Sequence, residues 1–328
     1  MSVSISKFLE SLELGSPVTF RNMTVIPVLN GVKQGPEYIT LGQALTEKLV
    51  LVTEVTQTGS VPELKVRNSS EQAVLIFDGE ELEGAKQNRA LNTTILIRKK
   101  SETLIPVSCT EQGRWSYDTP EFKDSGNIMF RSARASKIDA VSNSLDYSRR
   151  FDSNQGEIWN SISALHWISG THSSTGAMKD FYHSRQESFE EYQKAFPAVE
   201  RQHGLIVFIG DRVAGMDFVS RESAYRALHP KLLKSYSVES MFGEQDRQHQ
   251  ITTTQASEFL ARAKEAHETK FKSPGHGWDH RFRGTVVIGS ALIWRSQVVH
   301  AAFFPDQNGG AGEGGIRSAQ RRAGFRNL

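Results

Sequence analysis

An α+β fold follows from three features of the 328-residue chain. β-like runs crowd residues 15–115, helical periodicity dominates 150–200 and 220–268, and two further β-like runs at 285–304 form a closing hairpin. This segregation predicts β-rich N- and C-terminal segments that share a core with a helix-rich middle, in a single domain over 1–305. With 38% apolar side chains, the chain can bury such a core. The segment 306–328 is Gly-rich and then Arg-rich, and reads as a disordered tail.

In order, Ile5, Phe8, Leu9 and Leu12 recur at helical spacing and predict a short helix. The run from Val18 to Leu29 reads as strand, with Pro27 marking an edge or a bulge. Gly35 and Pro36 make a turn, Leu41 to Lys48 a brief helix, and Leu49 to Val55 a β-branched strand. Leu64 to Val66 and Ala73 to Phe77 continue the pattern. Val74 to Phe77 is apolar at every position, as in a strand covered on both faces. Gly79 and Gly84 bracket Glu80, Glu81 and Glu83 in what reads as an acidic turn, and Ala90 to Ile97 re-enters a strand.

Polar residues Arg98 to Glu102 then separate that strand from Leu104 to Glu111, which predicts a hairpin. A turn centred on Lys100 sets Leu91 opposite Cys109 and Arg89 opposite Glu111. Residues 116–156, rich in Ser, Asp, Asn and Arg, read as a long loop or loosely helical crossover. Ile158, Ile162 and Leu165 mark a helix, and Phe181, Phe189, Tyr192 and Phe196 a second that ends at Pro197. Gly210-Asp211-Arg212 turns a hairpin between Leu205 to Ile209 and Val213 to Val219. Helices follow around Ser223 to Leu233 and Ala256 to Ala266, before the last hairpin, Val286 to Trp294 with Val298 to Phe304.

The formal charge of +2 lies wholly in the tail, where four arginines face one Asp and one Glu; the other 305 residues balance at 35 basic and 35 acidic. A nucleic-acid binder needs a basic surplus to neutralise phosphates, so this composition argues against nucleic acid as a partner. No segment reaches the roughly 18 apolar residues of a membrane span, and the first residues lack a signal-peptide core. One cysteine excludes an intramolecular disulfide. A cytoplasmic protein without a membrane partner is the expectation.

Standard motifs fall away. Gly310, Gly312 and Gly315 satisfy G-x-G-x-x-G, but follow the final strand with no room for a βαβ unit. P-loop, nucleophile-elbow, H-E-x-x-H and C-x-x-C signatures are missing from the sequence. His276 and His280 have a metal-like spacing, but Gly275 and Gly277 place them in a loop. His300, opposite Leu292, reads as a satisfied core histidine.

The stretch from Val74 to Trp115 is left. Glu81 and Glu111 can serve as general acid and base, or hold a divalent cation through their oxygens. Lys86, Arg89 and Arg114 suit a small anionic ligand, and Trp115 offers a stacking surface. Glu80, Glu83, Gln87, Asn88 and Gln112 complete the ligand-binding set. Cys109 is a candidate nucleophile with no neighbouring histidine, and a buried inert thiol is the commoner condition of such a residue. The alternative is a non-catalytic binding or scaffold module, in which the charged hairpin is a protein interface or a structural ion-pair network.

The runs from Gly79 to Ile97 and from Ile105 to Trp115, with Gly289 to Trp294 and Val298 to Phe304, resemble the ARPP family, the ARG and rhodanese-phosphatase-superfamily-associated protein domain, over residues 15–305. The matching residues are Glu80, Glu81, Gly84, Lys86, Gln87, Asn88, Arg89, Cys109, Glu111, Gln112, Gly113, Arg114 and Trp115. The resemblance implies association with ADP-ribosylglycohydrolase-like and phosphatase-like proteins. With the charged stretch, it points to an enzyme acting on a small phosphorylated or nucleotide-derived ligand, ADP-ribose-related compounds included.

Overall fold

The computed structural model describes residues 5–29, 35–56, 59–243 and 250–306, so the tail predicted as disordered lies, apart from Asp306, outside the described residues. The chain divides into two compact units. The first joins Met1–Tyr38 to Phe189–Gly310, and the second is built on Ile39–Ser188, an insertion within the first where the sequence reading draws one domain.

The N-terminal part of the first unit supplies helix α1 (Ile5–Glu10) and strands β1 (Glu13–Leu14), β2 (Val18–Phe20) and β3 (Met23–Leu29). In the insertion follow β4 (Tyr38–Thr40), α2 (Leu41–Thr46), β5 (Val50–Glu54), β6 (Glu63–Asn68), β7 (Ala73–Ile76), β8 (Glu80–Gly84), β9 (Arg89–Leu91), β10 (Ile95–Ile97), β11 (Ser101–Cys109) and β12 (Phe122–Ile128). Helices α3 (Arg131–Ser148), α4 (Gln155–Ser169), α5 (Met178–Ser184) and α6 (Gln186–Ala195) lead back to β13 (Gln202–Ile209), β14 (Arg212–Val219), α7 (Glu222–Phe242), α8 (Thr253–Lys264), β15 (His267–Lys272), β16 (Trp278–Arg283), β17 (Val287–Trp294) and β18 (Gln297–Pro305).

Among the described residues, the first unit holds one nine-stranded antiparallel sheet in which early strands meet late ones, since β3 pairs with β13 and β14 with β18. Met216, Phe218, Ala291 and Phe303 pack on one face with Ile5 and Leu9 of α1 and Phe259 of α8. Side chains alternate along a strand, so Asp217 points to the other face, where the Tyr236 hydroxyl of α7 donates to it at 2.8 Å. Burial on both faces explains why β13 and β18 are buried almost throughout.

Pro27 is not at an edge, because β3 has β13 on one side and β1 with β2 on the other. Its carbonyl accepts from Gly15 where β1 has stopped and β2 has not begun, so the missing N–H breaks no ladder bond. His300 lies opposite Leu292 as expected and is buried, with its Nε2 3.3 Å from Asp217 Oδ1. His276 stacks on Trp294, while His280 sits in strand β16 rather than in a loop and pairs with Glu268.

The insertion carries a six-stranded sheet, ordered β12-β8-β9-β11-β6-β5, and a three-stranded one, β10-β7-β4, among the described residues. Val50, Val52, Leu64, Val66, Leu82, Leu91, Ile105 and Val107 of the larger sheet form one core with Val74, Ile76, Ile95 and Ile97 of the smaller. Val74, Leu75 and Ile76 are fully enclosed, as their unbroken apolar run predicts.

Three expectations for this region are corrected. Glu80 to Gly84 is strand β8, not an acidic turn. Of the two readings of residues 116–156, the long loop is replaced and the helical crossover holds in part, since the segment contains the unexpected β12 and the 18-residue α3. The simple hairpin around Lys100 does not form, because β10 leaves to pair with β7 while β11 pairs with β6 and β9. Long-range partners outcompete the local turn because they bury more apolar surface.

Candidate functional site

Strand parity decides which charged side chains meet. Arg89 lies opposite Cys109 on β11 and opposite Leu82 on β8, so these three share the core face of the sheet. Leu91 lies opposite Val107. The expected pairs, Arg89 with Glu111 and Leu91 with Cys109, are therefore displaced by two residues, which preserves the face and changes the partner. Glu81 lies opposite Ala90, on the other face from Arg89 and Cys109. The predicted residues thus fall into separate groups.

On the core face, the alternation Val50, Val52, Glu54 carries Glu54 to the end of the apolar layer. Glu54 is 7% exposed and Arg89 0%. The Arg89 Nη1 donates to Gln87 Oε1 at 2.9 Å, and Gln87 Nε2 donates to the Gln112 carbonyl at 3.4 Å. The other Arg89 nitrogens, Nε and Nη2, and both Glu54 oxygens have no hydrogen-bond partner. Nη2 is 3.8 Å from Glu54 Oε1, close enough for attraction and too far for a hydrogen bond. Burial raises the Cys109 thiol above its ordinary range, while the Arg89 guanidinium pulls it the other way. Cys109 is 1% exposed, the condition of an inert core thiol.

Above this pair lies an aromatic rim. The Trp115 ring centroid is 5.5 Å from the Arg89 guanidinium carbon and 5.4 Å from Lys86 Nζ, and Lys86 Nζ is 5.1 Å from the Tyr117 ring. Trp115 is 48% exposed. Gly59, at φ +83°, lets the chain pass beneath: a Cβ there would come within 3.1 Å of Lys86 Cδ and 3.3 Å of Trp115 Cζ2.

Glu111 and Arg114 form a brace. Glu111 accepts from Arg114 Nε at 3.0 Å and Nη2 at 2.7 Å, from Thr175 Oγ1 at 2.8 Å and from the Asn88 N–H at 3.2 Å. Arg114 also donates to the Ala85 carbonyl at 2.6 Å and to Asn88 Oδ1 at 3.2 Å, and Asn88 Oδ1 accepts from the Gly84 N–H. This network ties the turn after β8 to the segment after β11.

On the opposite face, Glu81 accepts from Thr110 Oγ1 at 2.7 Å and from Asn127 Nδ2 at 3.5 Å. Burial pushes its carboxyl up to about 7 despite these donors. Glu83 pairs with Lys179 at 2.9 Å and Lys123 at 3.4 Å, and Glu80 caps the Phe77 N–H at 2.9 Å. Glu81 and Glu111 have none of these donors in common. Among the described residues, no group of three or more His, Cys, Asp or Glu side chains is arranged to hold a metal ion.

Sequence reasoning missed Glu54, although its parity with Val50 and Val52 was a readable signal. It also missed a fully buried cluster in which Asp78 pairs with Lys137 and, at 3.3 Å, with Arg134 Nε. Arg134 and Lys137 stand three apart on α3, in a segment whose polar composition reads as a loop or a loosely helical crossover and marks no inward face. Among the described residues, no helix is long and apolar enough to cross a membrane.

No curated protein and no solved structure matches the chain. The family model of the ARG and Rhodanese-Phosphatase-superfamily-associated Protein domain matches residues 11–304, which include every strand, charge and aromatic of this site, and the chain belongs to that family.

Proposed function

We propose that the unit 39–188 binds a small phosphorylated or nucleotide-derived ligand, ADP-ribose-related compounds included, at Arg89, Lys86 and Trp115, and that this ligand is the substrate of an enzyme. The observation that carries the reading is the buried Arg89 guanidinium with two nitrogens lacking hydrogen-bond partners beneath a half-exposed tryptophan. Buried polar groups are nearly always hydrogen-bonded, and each one left unsatisfied costs about 1–3 kcal/mol. A bound ligand supplies those partners. Lys86 at the rim suits a phosphate. A cytoplasmic setting suits the single buried thiol.

Thermal shift against nucleotides, sugar phosphates and ADP-ribose, with and without Mg²⁺ or Mn²⁺, tests this. Stabilisation by one class is the expected result, and none by any of them would sink the reading. The scaffold alternative keeps one observation in its favour, the saturated brace of Glu111 and Arg114. It predicts that Arg89→Lys changes stability without changing any ligand response.

A further inference from the structure

In the first unit, we infer that residues 196–202, the connection from α6 into β13, form a clip that a neutral His229 holds shut on α7 and that acid releases. His229 and Tyr225 stand one turn apart on α7, and Gln202 opens β13; they are 5%, 0% and 1% exposed. The connection itself is open to solvent at Pro197, Val199, Glu200 and Arg201. Its exposed ties to α7 run from Arg226 Nη2 to the Val199 carbonyl at 3.0 Å and from the Arg201 N–H to Glu222 at 3.3 Å. Water competes for both, so the buried chain of hydrogen bonds beneath them does most of the holding.

Each proton in that chain is fixed by its neighbours. Gln202 Oε1 accepts from the Val199 N–H at 2.9 Å and Nε2 donates to the Gly204 carbonyl at 2.9 Å, which settles the orientation of the amide. The second Nε2 proton goes to the Tyr225 oxygen at 2.8 Å. An amide nitrogen cannot accept, so the Tyr225 O–H turns to His229 Nδ1, 2.8 Å away. His229 Nε2 is 2.7 Å from the Phe196 carbonyl and must carry the imidazole proton. A further proton on Nδ1 would set two donors face to face. The Tyr225 oxygen could accept from both Gln202 and His229, but its own proton would then lack an acceptor in this buried chain. Burial lowers the His229 imidazole from its ordinary 6.5; the Phe196 carbonyl opposes that shift, and Arg226, itself paired with Glu222, adds to it. Burial and Asp217 of β14 keep the Tyr225 hydroxyl protonated well above the usual phenol range, so it cannot yield its proton instead. Pro230, next along α7, has no N–H to give the helix at this turn.

Opening the clip returns His229 to water and its ordinary 6.5, so the closed form is fully favoured above that pH and loses ground as pH falls from 6.5 toward the lower folded value. Hydrogen exchange by mass spectrometry on the full chain, corrected for intrinsic rates, tests this. Amides in the peptide 196–204 should open about five- to tenfold more often at pH 5.5 than at pH 7.5, while those of β11 stay unchanged. His229→Gln has no titrating ring and should remove the difference. Tyr225→Phe takes away the opposing O–H, lets the imidazole accept its proton more readily and should shrink the difference, which keeps the test decisive if His229→Gln does not fold. Imidazole nitrogen shifts measured by NMR at pH 7.5 should show His229 as the Nε2–H tautomer. Opening of 196–204 that ignores pH, an equal acid response in β11, a response undiminished in either variant, or an Nδ1–H tautomer would each overturn the clip.

Discussion

Glu111→Gln separates brace from ligand site. The wild-type carboxylate is 3% exposed and accepts four hydrogen bonds, two of them from Arg114. A hydrogen bond to a charged group contributes about 1.5–3 kcal/mol, and breaking a buried ion pair costs about 3–5 kcal/mol. The amide retains one acceptor oxygen, so the expected loss is about 2–4 kcal/mol. For a unit of this size, each kcal/mol shifts Tm by about 2–4 °C, and the variant should melt roughly 5–15 °C lower.

The pH dependence has a definite sign. Burial alone would raise the Glu111 carboxyl, but Arg114, Thr175 and the Asn88 N–H together hold it below its ordinary value of 4.5. A lowered folded pKa stabilises the protein above the unfolded pKa, and that contribution is lost as pH falls through the folded value. The gap between wild type and Glu111→Gln should therefore be full at neutral pH and close progressively below about pH 4.5. Thermal melts followed by circular dichroism across that range measure it. An unchanged Tm at neutral pH, or a gap constant with pH, would refute the brace and return Glu111 to the list of ligand groups.

Glu81 should behave in the opposite sense. Its folded pKa is raised from 4.5 to about 7, so its contribution is complete in acid and lost as pH rises through about 7; Glu81→Gln should be the more stable protein near pH 8.5, by up to about 3 kcal/mol, and equal denaturant midpoints at that pH would contradict this. Asp78→Asn removes the carboxylate that Arg134 and Lys137 share in a fully buried site, with an expected loss of at least about 3–5 kcal/mol, measured by urea unfolding. Cys109, buried with its thiol pushed up, should resist iodoacetamide in the native protein near pH 8 and react once unfolded, and rapid native labelling would rule out an inert core thiol.

Much was legible in the chain itself. Local periodicity placed α1, α4, α7 and α8, and the two hairpins β13 with β14 and β17 with β18, because helix and tight-hairpin patterns are written within a few residues of one another. The clustering of charge between Val74 and Trp115 likewise marked where the polar groups of the insertion would gather.

The tertiary structure decided which of them meet. Strand pairing in the insertion joins β11 to β6 and β9, partners that no local turn specifies, and the resulting shift of two residues set Arg89 against Cys109. Parity, a local property, then divided Glu81 from Arg89 once β8 was a strand rather than a turn. Burial completed the sorting: the parity of Glu54 with Val50 and Val52 marks it as inward-facing, but it comes to face Arg89 only when both lie in the same apolar layer, where water no longer satisfies either. Composition and spacing determined that charge collects in this stretch. Which carboxylate faces which cation, and which atoms are left for a ligand, depends on contacts between strands far apart in sequence.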